Sequence, residues 1–213
     1  MNIILFGPPG AGKGTQSQKI ANKFNLHQVS TGDLLRNEIK NKSDIGNKIE
    51  QIISQGDFVT DDIVNKILKT VIINPLYRNR NIFDGYPRNT TQAESLEIML
   101  NSDNQSINFI LFLKVNREII EKRILGRIIC EKCNKTFNKY LNKEEIEKHE
   151  CGHSYMKQRE DDNQDAIITR YEEYMKKTKL VLDFYSTRSY FHEIDGSQKI
   201  QVITGKIEEF LQV

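Results

Sequence analysis

The sequence has no long apolar run, no marked excess of either charge and few cysteines. Its 213 residues contain 31 Lys and Arg against 29 Asp and Glu, which leaves a net charge of +2. That balance gives no reason to expect a nucleic acid or an acidic membrane as a partner. No segment approaches the roughly 20 consecutive apolar residues of a membrane-spanning helix. Because the apolar start at residues 1–6 is too short for a signal peptide, we expect a cytoplasmic protein.

The three cysteines lie together in a polar, charged segment that differs from its flanks. Such clustering in a cytoplasmic chain favours a metal site over a disulfide framework. Cys130 and Cys133 form a C-x-x-C pair, and Cys151 follows with His149 and His153 on either side. Three thiolates and one imidazole suit tetrahedral Zn²⁺. Either histidine could complete the set, and we favour His149 because a glycine then follows the last ligand.

Short apolar runs alternate with helical patterns along the chain. The runs predict strands at 2–6, 81–84, 108–115, 191–194 and 199–203. The helical patterns predict helices at 15–24, 31–39, 45–55, 61–71 (after an N-cap at Thr60), 117–129, 165–186 and 206–211. This alternation predicts an α/β fold with a mostly parallel sheet covered by helices on both faces.

A glycine-rich loop follows the first predicted strand. Residues 7–13 read Gly-Pro-Pro-Gly-Ala-Gly-Lys and match the phosphate-loop pattern G-x-x-x-x-G-K. Glycines let backbone N–H groups converge on phosphate oxygens, and Lys13 adds a point charge. The general pattern has Ser or Thr after the lysine, where this chain has Gly14. Since the hydroxyl comes one position later, at Thr15, we expect no magnesium ligand at position 14.

Four motifs in order along the chain resemble the nucleoside monophosphate kinases, and in particular adenylate kinases of the long-lid bacterial type with a cysteine-containing zinc lid. They are the phosphate loop, Ser-Thr-Gly-Asp-Leu-Leu-Arg at 30–36, Asp-Gly-Tyr-Pro-Arg at 84–88, and Arg-Glu-Asp-Asp at 159–162 followed by Arg170. The resemblance implies a P-loop NTPase-type core of five parallel strands in a single domain. The implied parts are a core (1–29, 60–126 and 163–213), a helical AMP-binding segment (30–59) and a small inserted lid (127–162).

The resemblance also assigns residues to the two nucleotides. On the ATP side it implies Gly10, Ala11, Gly12, Lys13, Gly14, Thr15, Arg127, Thr136, Phe137 and Gln198. On the AMP side it implies Thr31, Arg36, Asp57, Phe58, Val59, Gly85, Arg88, Gln92, Arg159 and Arg170. The residue types fit these roles, because forked guanidinium groups suit phosphates and the amide of Gln92 can pair with an adenine edge.

The implied chemistry rests on positive charge. Phosphoryl transfer needs positioning and charge stabilisation, and the acceptor phosphate is already anionic, which agrees with the lack of a Ser-His-Asp set. The resemblance makes Lys13, Arg88, Arg123, Arg159 and Arg170 the catalytic residues. Arg123 and Arg127 are four apart on the predicted helix 117–129 and would share one face. Asp84, at the carboxyl end of a predicted strand, is expected to hold Mg²⁺ through water.

The resemblance implies adenylate kinase activity in a monomer, with Mg²⁺ and a structural Zn²⁺. Thr31 and Gln92 favour AMP as acceptor, whereas Asn89 favours the alternative, a UMP/CMP kinase of the same fold. A zinc-ribbon nucleic-acid-binding protein is a second alternative, supported by the C-x-x-C hairpin and nearby lysines and opposed by interspersed glutamates. A GTPase-like switch is disfavoured because Gly14 follows Lys13 where the general phosphate-loop pattern has Ser or Thr.

Overall fold

Two sheets organise the chain. Its strands are β1 (Ile3–Phe6), β2 (His27–Ser30), β3 (Asn81–Asp84), β4 (Phe109–Lys114), β5 (Arg127–Cys130), β6 (Thr136–Asn138), β7 (Met156–Lys157) and β8 (Phe191–Asp195). In the computed structural model, which describes residues 1–54, 59–158 and 162–212, five of them form a parallel sheet in the order β2–β3–β1–β4–β8. The other three form an antiparallel sheet in the order β6–β5–β7.

Helices make the crossovers that parallel strands require. They are α1 (Lys13–Phe24), α2 (Thr31–Lys40), α3 (Asp44–Ser54), α4 (Asp61–Ile72), α5 (Thr90–Ser102), α6 (Arg117–Leu125), α7 (Lys143–Glu147), α8 (Gln164–Glu173), α9 (Lys179–Tyr185) and α10 (Ile200–Leu211). A 3₁₀ turn spans His153–Tyr155, and a π-helical turn, Tyr174–Thr178, joins α8 to α9. None of the described helices is both long and apolar enough to cross a membrane.

Alternate residues of β1 are buried in two separate apolar cores, one on each face of the large sheet. Ile4 and Phe6 pack with residues of α4, α5 and α9. Ile3 and Leu5 pack on the opposite face with residues of α1 and α10. Successive strand side chains point to opposite faces, so an apolar run buried on both sides is what a covered parallel strand requires. The predicted α/β fold class, with a five-stranded parallel sheet and helices on both faces, is confirmed.

Two strand predictions were in error. The segment 199–203, predicted as a strand, is the start of α10, whose buried residues Ile203, Ile207 and Leu211 recur every four positions. That spacing puts them on one helix face. The strand β2 was not predicted, because its sequence His-Gln-Val-Ser carries a single fully buried apolar residue, Val29. The other four predicted strands and the helices at 31–39 and 61–71 are confirmed within one or two residues, as is the helix at 45–55 over its described part.

The predicted helix 117–129 was also wrong, because α6 ends at Leu125 and Arg127 begins β5. A Cβ at Gly126 would lie 2.6 Å from the side chain of Asn138 on β6, so this junction is tightly packed. The Asn138 side-chain amide donates to the carbonyl oxygen of Arg123, 3.2 Å away. Arg123 and Arg127 therefore do not share a helix face.

Smaller differences concern helix ends. The predicted N-cap Thr60 has an extended backbone, but its side chain makes no capping hydrogen bond. The helix predicted at 165–186 is present as α8 and α9 with the π-helical turn between them. Helix α5 was not among the predicted elements. Its N-cap is Asn89, whose side-chain oxygen accepts from the Gln92 N–H at 2.7 Å.

Helices α2 and α3 are in close contact at Gly46, and this contact gives a testable prediction. A Cβ at Gly46 would lie 1.9 Å from the carbonyl oxygen of Glu38 on α2. We expect Gly46→Ala to force the two helices apart and to lower the free energy of unfolding by about 1–3 kcal/mol. Urea unfolding followed by circular dichroism measures this loss.

Gly205 is the matched control, because it also lies within a helix and a Cβ there would have nothing within 4 Å. We expect Gly205→Ala to stabilise the protein by about 0.5–1 kcal/mol, since glycine is a poor helix former. Equal effects of the two substitutions would contradict the assigned contact.

Candidate active site

The phosphate loop lies between β1 and α1, at the carboxyl end of the central strand. Gly10 has φ +77° and Gly12 has φ +95°, a left-handed conformation that other residues rarely adopt. A Cβ at Gly10 would also lie 2.8 Å from Ile124 of α6. Gly12 is the N-cap of α1, so the positive end of that helix opens into the loop. The loop can thus surround an anion with backbone N–H groups.

Lys13, the first residue of α1, is folded over this loop. Its ammonium group donates to the carbonyl oxygens of Gly7 at 2.7 Å and Pro8 at 3.0 Å. Burial lowers the pKa of Lys13 to about 8; the Asp84 carboxylate opposes this shift, and the cations Arg88 and Arg127 add to it. Lys13, two arginines and one carboxylate are therefore close enough to influence one another's charge.

Asp84 ends β3 next to the phosphate loop and is 9 % exposed. Its carboxylate accepts hydrogen bonds from the Ser17 hydroxyl at 3.3 Å and from the Gln28 side chain at 3.4 Å. Burial raises the pKa of Asp84, while Lys13 and these hydrogen bonds counteract the rise. A buried carboxylate oxygen beside a phosphate-binding loop has the chemistry that Mg²⁺ prefers, directly or through water.

The turn after Asp84 carries the predicted acceptor-side residues. Gly85 has φ +78°, and its carbonyl oxygen accepts from the Thr31 hydroxyl at 3.1 Å and from the Arg88 guanidinium at 2.8 Å. Burial lowers the pKa of Arg88; Asp84 opposes this and Arg36 adds to it. Arg36 itself pairs with Asp33 one turn earlier on α2. The two predicted acceptor-phosphate arginines therefore share one site with Asp84.

A narrow apolar crevice separates α2 from α4 beside this turn. Its walls are Thr31, Leu34, Leu35, Val64, Ile67 and Leu68. Val59, predicted for the acceptor base, packs against the same core. The predicted residues Asp57 and Phe58 lie outside the described residues. Gln92 is buried at the start of α5 and is hydrogen-bonded through both ends of its side-chain amide.

Arg123 of α6 joins the phosphate loop to the loop after β8. Its guanidinium donates to the carbonyl oxygens of Ala11 at 3.2 Å and Gly196 at 2.8 Å. Burial lowers the pKa of Arg123, and Asp195 opposes that effect. Gln198, predicted for the ATP side, donates to Asp195 at 2.7 Å. Arg123 thus belongs to the site, although Arg127, which was predicted on the same helix, lies on β5.

Arg127 and Arg170 meet at a buried carboxylate, Asp162, whose side chain has no exposed surface. Arg127 binds both carboxylate oxygens, with its Nε 2.7 Å from one of them. The guanidinium of Arg170 lies 3.4 Å from the same carboxylate. One carboxylate therefore brings together two of the predicted phosphate-binding arginines. The predicted residue Arg159 lies outside the described residues.

The side chains that contact this site but were not predicted include Ser17, Gln28, Asp162 and Thr178. Ser17 follows Lys13 by one helical turn, and Asp162 closes the Arg-Glu-Asp-Asp motif, so the sequence contained a signal for both. Gln28 comes from the unpredicted β2, and Thr178, which donates to the Arg88 carbonyl oxygen at 3.0 Å, comes from the π-helical turn. Neither has a local sequence signature.

The small sheet carries the predicted metal ligands. One donor atom from each of Cys130, Cys133, His149 and Cys151 lies within 4.8 Å of the others, and no other such group occurs among the described residues. Burial would raise the pKa of Cys130, but hydrogen bonds from the Cys133 backbone, from His149 and from the Lys132 backbone lower it to about 6. Three thiols and an imidazole nitrogen this close fit a tetrahedral Zn²⁺ site. The alternative ligand, His153, is outside the group.

Two predicted ATP-side residues, Thr136 and Phe137, lie on β6 beside these ligands. Phe137 is 3 % exposed and packs edge-on against the His149 ring, with centroids 4.9 Å apart. In this structure its side chain is part of the interior of the small sheet and is not at the surface of the site.

Comparison with known proteins agrees with this geometry. The sequence model for adenylate kinase matches residues 5–190. The chain belongs to the adenylate kinase family. It is 58% identical to the adenylate kinase of Pelagibacter ubique strain HTCC1062 over 100% of both chains. It is 37% identical to that of Erythrobacter litoralis strain HTCC2594 over 100% of both, and 35% identical to that of Listeria monocytogenes strain CLIP80459 over 99% of both.

Membership of the adenylate kinase family makes the chain a phosphotransferase. The predicted kinase activity and nucleotide binding are confirmed at this level. The matches favour neither a UMP/CMP kinase nor a zinc-ribbon nucleic-acid-binding protein.

The lowered pKa of Lys13 predicts a pH-dependent proton uptake when a nucleoside triphosphate binds. Above pH 8 most of the free protein carries a neutral Lys13. A bound phosphate favours the charged form and raises its pKa, so binding must draw a proton from solution. We expect uptake to increase between pH 6.5 and pH 8.5. Calorimetry in buffers of different ionisation enthalpy measures it.

Lys13→Met is the control for this measurement. It should remove the increase in proton uptake and reduce turnover by about 100-fold or more, since it deletes one fixed charge that stabilises the transition state. Thermal unfolding should still be cooperative. Near-normal turnover, or the same proton uptake without the lysine, would refute the assigned role.

Proposed function

We propose that this adenylate kinase catalyses reversible Mg²⁺-dependent phosphoryl transfer, ATP + AMP ⇌ 2 ADP, and so balances the adenine nucleotides. The observation that carries this proposal is the shared site of Lys13, Arg88 and Arg127, which are close enough to shift one another's charge state around Asp84. Lys13 belongs to the phosphate loop, whereas Arg88 belongs to the turn that begins at Gly85. Two nucleotides can therefore meet end to end across them.

The donor lies on the phosphate loop in this proposal. Backbone N–H groups from Gly10 to Thr15 and the Lys13 ammonium bind its phosphates. Arg123 and Arg127 bind the same chain from α6 and β5, with Thr136, the backbone of Phe137 and Gln198 toward the adenosine. Arg123 already contacts the loop backbone, since it donates to the Ala11 carbonyl oxygen at 3.2 Å. It can turn from that neutral carbonyl to a phosphate with little movement of the backbone.

The acceptor lies between α2 and the Gly85 turn. Arg36 and Arg88 bind its phosphate, and Thr31 and Gln92 contact the nucleoside beside the apolar crevice. Support for this placement comes from the Thr31 hydroxyl and the Arg88 guanidinium, which already share the Gly85 carbonyl oxygen as acceptor. Asp57, Phe58 and Val59 complete the base pocket, and Arg159 and Arg170 close over both phosphate groups.

The chemical step needs no general base, because the attacking phosphate oxygen of AMP is already ionised. Guanidinium and ammonium groups hold the two phosphates in line and spread the negative charge that develops during transfer. Bound Mg²⁺ would supply further charge neutralisation at the donor phosphates. Asp84, with its neighbours Ser17 and Gln28, would hold that ion through water. In this proposal the AMP-binding segment and the lid close over the two nucleotides, and the exclusion of water that results would prevent hydrolysis of ATP.

We propose residues 30–59 as the AMP-binding segment and residues 127–162 as the lid, with the rest of the chain as a single core. Cys130, Cys133, His149 and Cys151 would hold a structural Zn²⁺ in the lid. The small sheet needs such support, because Cys130 and Phe137 are its buried residues while Tyr140 and Leu141 are 60% and 74% exposed. With so small a core, metal binding would supply much of its folding free energy.

We also expect this enzyme to act as a monomer in the cytoplasm. One chain carries both nucleotide sites, so a second copy is not needed to complete them. A membrane or a nucleic acid has no place in the reaction.

The acceptor preference tests the proposed reaction. A coupled assay with ATP and Mg²⁺ should give the highest kcat/KM with AMP, and values lower by about 100-fold or more with UMP and CMP, since a site that hydrogen-bonds one base leaves its polar groups unpaired with another. A pyrimidine nucleotide that is turned over as fast as AMP would refute the proposal.

Metal removal tests the role of the cysteine cluster. The purified protein should contain about one Zn²⁺ per chain, and a strong chelator should unfold the lid at a lower temperature than the core while Mg²⁺ is kept in excess. Cys133→Ser should lower zinc content in the same way. A metal-free protein with an unchanged unfolding profile would contradict a structural metal.

A further inference from the structure

Asp61, the first residue of α4, ties together the side chains at the start of α5. One carboxylate oxygen accepts from the side-chain amide of Gln92 at 2.5 Å. The other accepts from the side-chain amide of Asn89 at 3.0 Å. Asn89 in turn is the N-cap of α5 and accepts from the Gln92 backbone N–H. A single carboxylate therefore controls the polar end of the helix that carries Gln92.

The hydrogen-bond partners of Gln92 allow only one orientation of its amide. Its Oε1 accepts from the backbone N–H of Arg88 at 2.7 Å, and its Nε2 donates to Asp61. A backbone N–H can only donate and an ionised carboxylate can only accept. Rotation of the amide by 180° would bring donor against donor at Arg88 and acceptor against acceptor at Asp61. Each mismatch would leave a polar group of this site unpaired, which makes the flipped orientation unfavourable.

The fixed amide keeps one N–H and one oxygen lone pair for a ligand, since each of the two bonds uses only one. The Watson–Crick edge of adenine presents an amino donor beside a ring-nitrogen acceptor. The 6-oxopurine hypoxanthine presents the reverse, a carbonyl acceptor beside a ring N–H donor. An amide whose oxygen and nitrogen cannot exchange places can satisfy the first edge in its fixed orientation, whereas the second edge requires the flipped one.

We propose that Asp61 is a positioning residue for acceptor specificity, which makes the site select a 6-aminopurine nucleotide over a 6-oxopurine nucleotide by preventing the Gln92 amide from flipping. This inference rests on the proposed function, in which Gln92 contacts the base of AMP. Asp61 itself does not touch the nucleotide in this account. It acts by making one of two otherwise similar amide orientations costly.

The test replaces Asp61 with asparagine and compares AMP with IMP as acceptors. In Asp61→Asn the new amide can donate as well as accept, so the Gln92 amide is no longer held in one orientation at that end. The ratio of kcat/KM for AMP to that for IMP should fall about tenfold, which is within the range for losing one well-placed base contact. The change should appear in the KM for AMP, with kcat and the KM for ATP nearly unchanged.

The matched control is Asp62→Asn. Asp62 lies beside Asp61 in the same first turn of α4, so both substitutions remove one negative charge from the same helix end. The control should keep the wild-type ratio. Asp61→Ala provides a second variant that removes the acceptor altogether, in case Asp61→Asn folds poorly; it should lower the ratio in the same direction.

Three outcomes separate the inference from the proposed function. A wild-type enzyme that uses IMP as well as AMP, or an unchanged AMP-to-IMP ratio in Gln92→Leu, would overturn both the contact of Gln92 with the base and the inference built on it. A ratio that falls in Gln92→Leu but stays at the wild-type value in both Asp61 variants would overturn the inference and leave the proposed function intact. An equal loss of activity with AMP and IMP in the Asp61 variants would reduce Asp61 to a structural role and also overturn the inference.

Discussion

Positive charge concentrated at one edge of a parallel sheet is the constraint on which the rest of this structure depends. Three of these cations donate to backbone carbonyl oxygens, where in the proposed reaction they would donate to phosphate oxygens. Lys13 donates to two carbonyl oxygens of its own loop, Arg88 to the Gly85 carbonyl oxygen, and Arg123 to carbonyl oxygens on two loops. Neutral carbonyl groups satisfy the N–H donors without cancelling the charge. Burial is the main reason that the pKa of Lys13 is lowered, and the neighbouring cations Arg88 and Arg127 lower it further, so a bound phosphate chain would raise it.

Two buried carboxylates each lie among a different group of these cations. Asp84 lies among Lys13 and Arg88, and Asp162 pairs Arg127 with Arg170. Neighbouring positive charges repel, so each carboxylate allows these cations to lie close together before any ligand arrives. The two carboxylates come from different elements, the end of β3 and the segment before α8. Binding of phosphates can therefore rearrange the Asp162 cluster while Asp84 stays fixed in the large sheet.

Much of the fold and of the site could be predicted because the chemistry is local in sequence. Short motifs indicate the chemistry by their residue types alone, as in the phosphate loop, the Asp84–Arg88 turn and the cysteine ligands. The errors arose where tertiary packing decides which secondary structure a segment adopts. Helix α6 ends at Leu125, and Gly126 packs closely against Asn138 at the junction with β5, a contact that the apolar pattern of 117–129 does not reveal. The edge strand β2 has too few buried residues to be recognised. Residues 199–203 are too short a window to show the helical spacing by which α10 packs against α1, so they resemble a strand.

The interactions that position the site were the hardest to foresee. Asp61 lies 31 residues from the Gln92 side chain that it binds, and Thr178 lies 90 residues from the Arg88 carbonyl oxygen to which it donates. Neither residue belongs to a motif that states a chemical role, since an Asp at a helix start and a Thr inside a helix have ordinary structural uses. Their roles follow only from what lies opposite them in space.

The most direct test of the central claim is a crystal structure with a bisubstrate analogue, two adenosines joined by five phosphates, and Mg²⁺. The account predicts that the Lys13 ammonium and the guanidinium groups of Arg88, Arg123 and Arg127 leave their present carbonyl and carboxylate partners and bind phosphate oxygens. If these cations keep their present partners while the phosphates are bound by other groups, the account is contradicted.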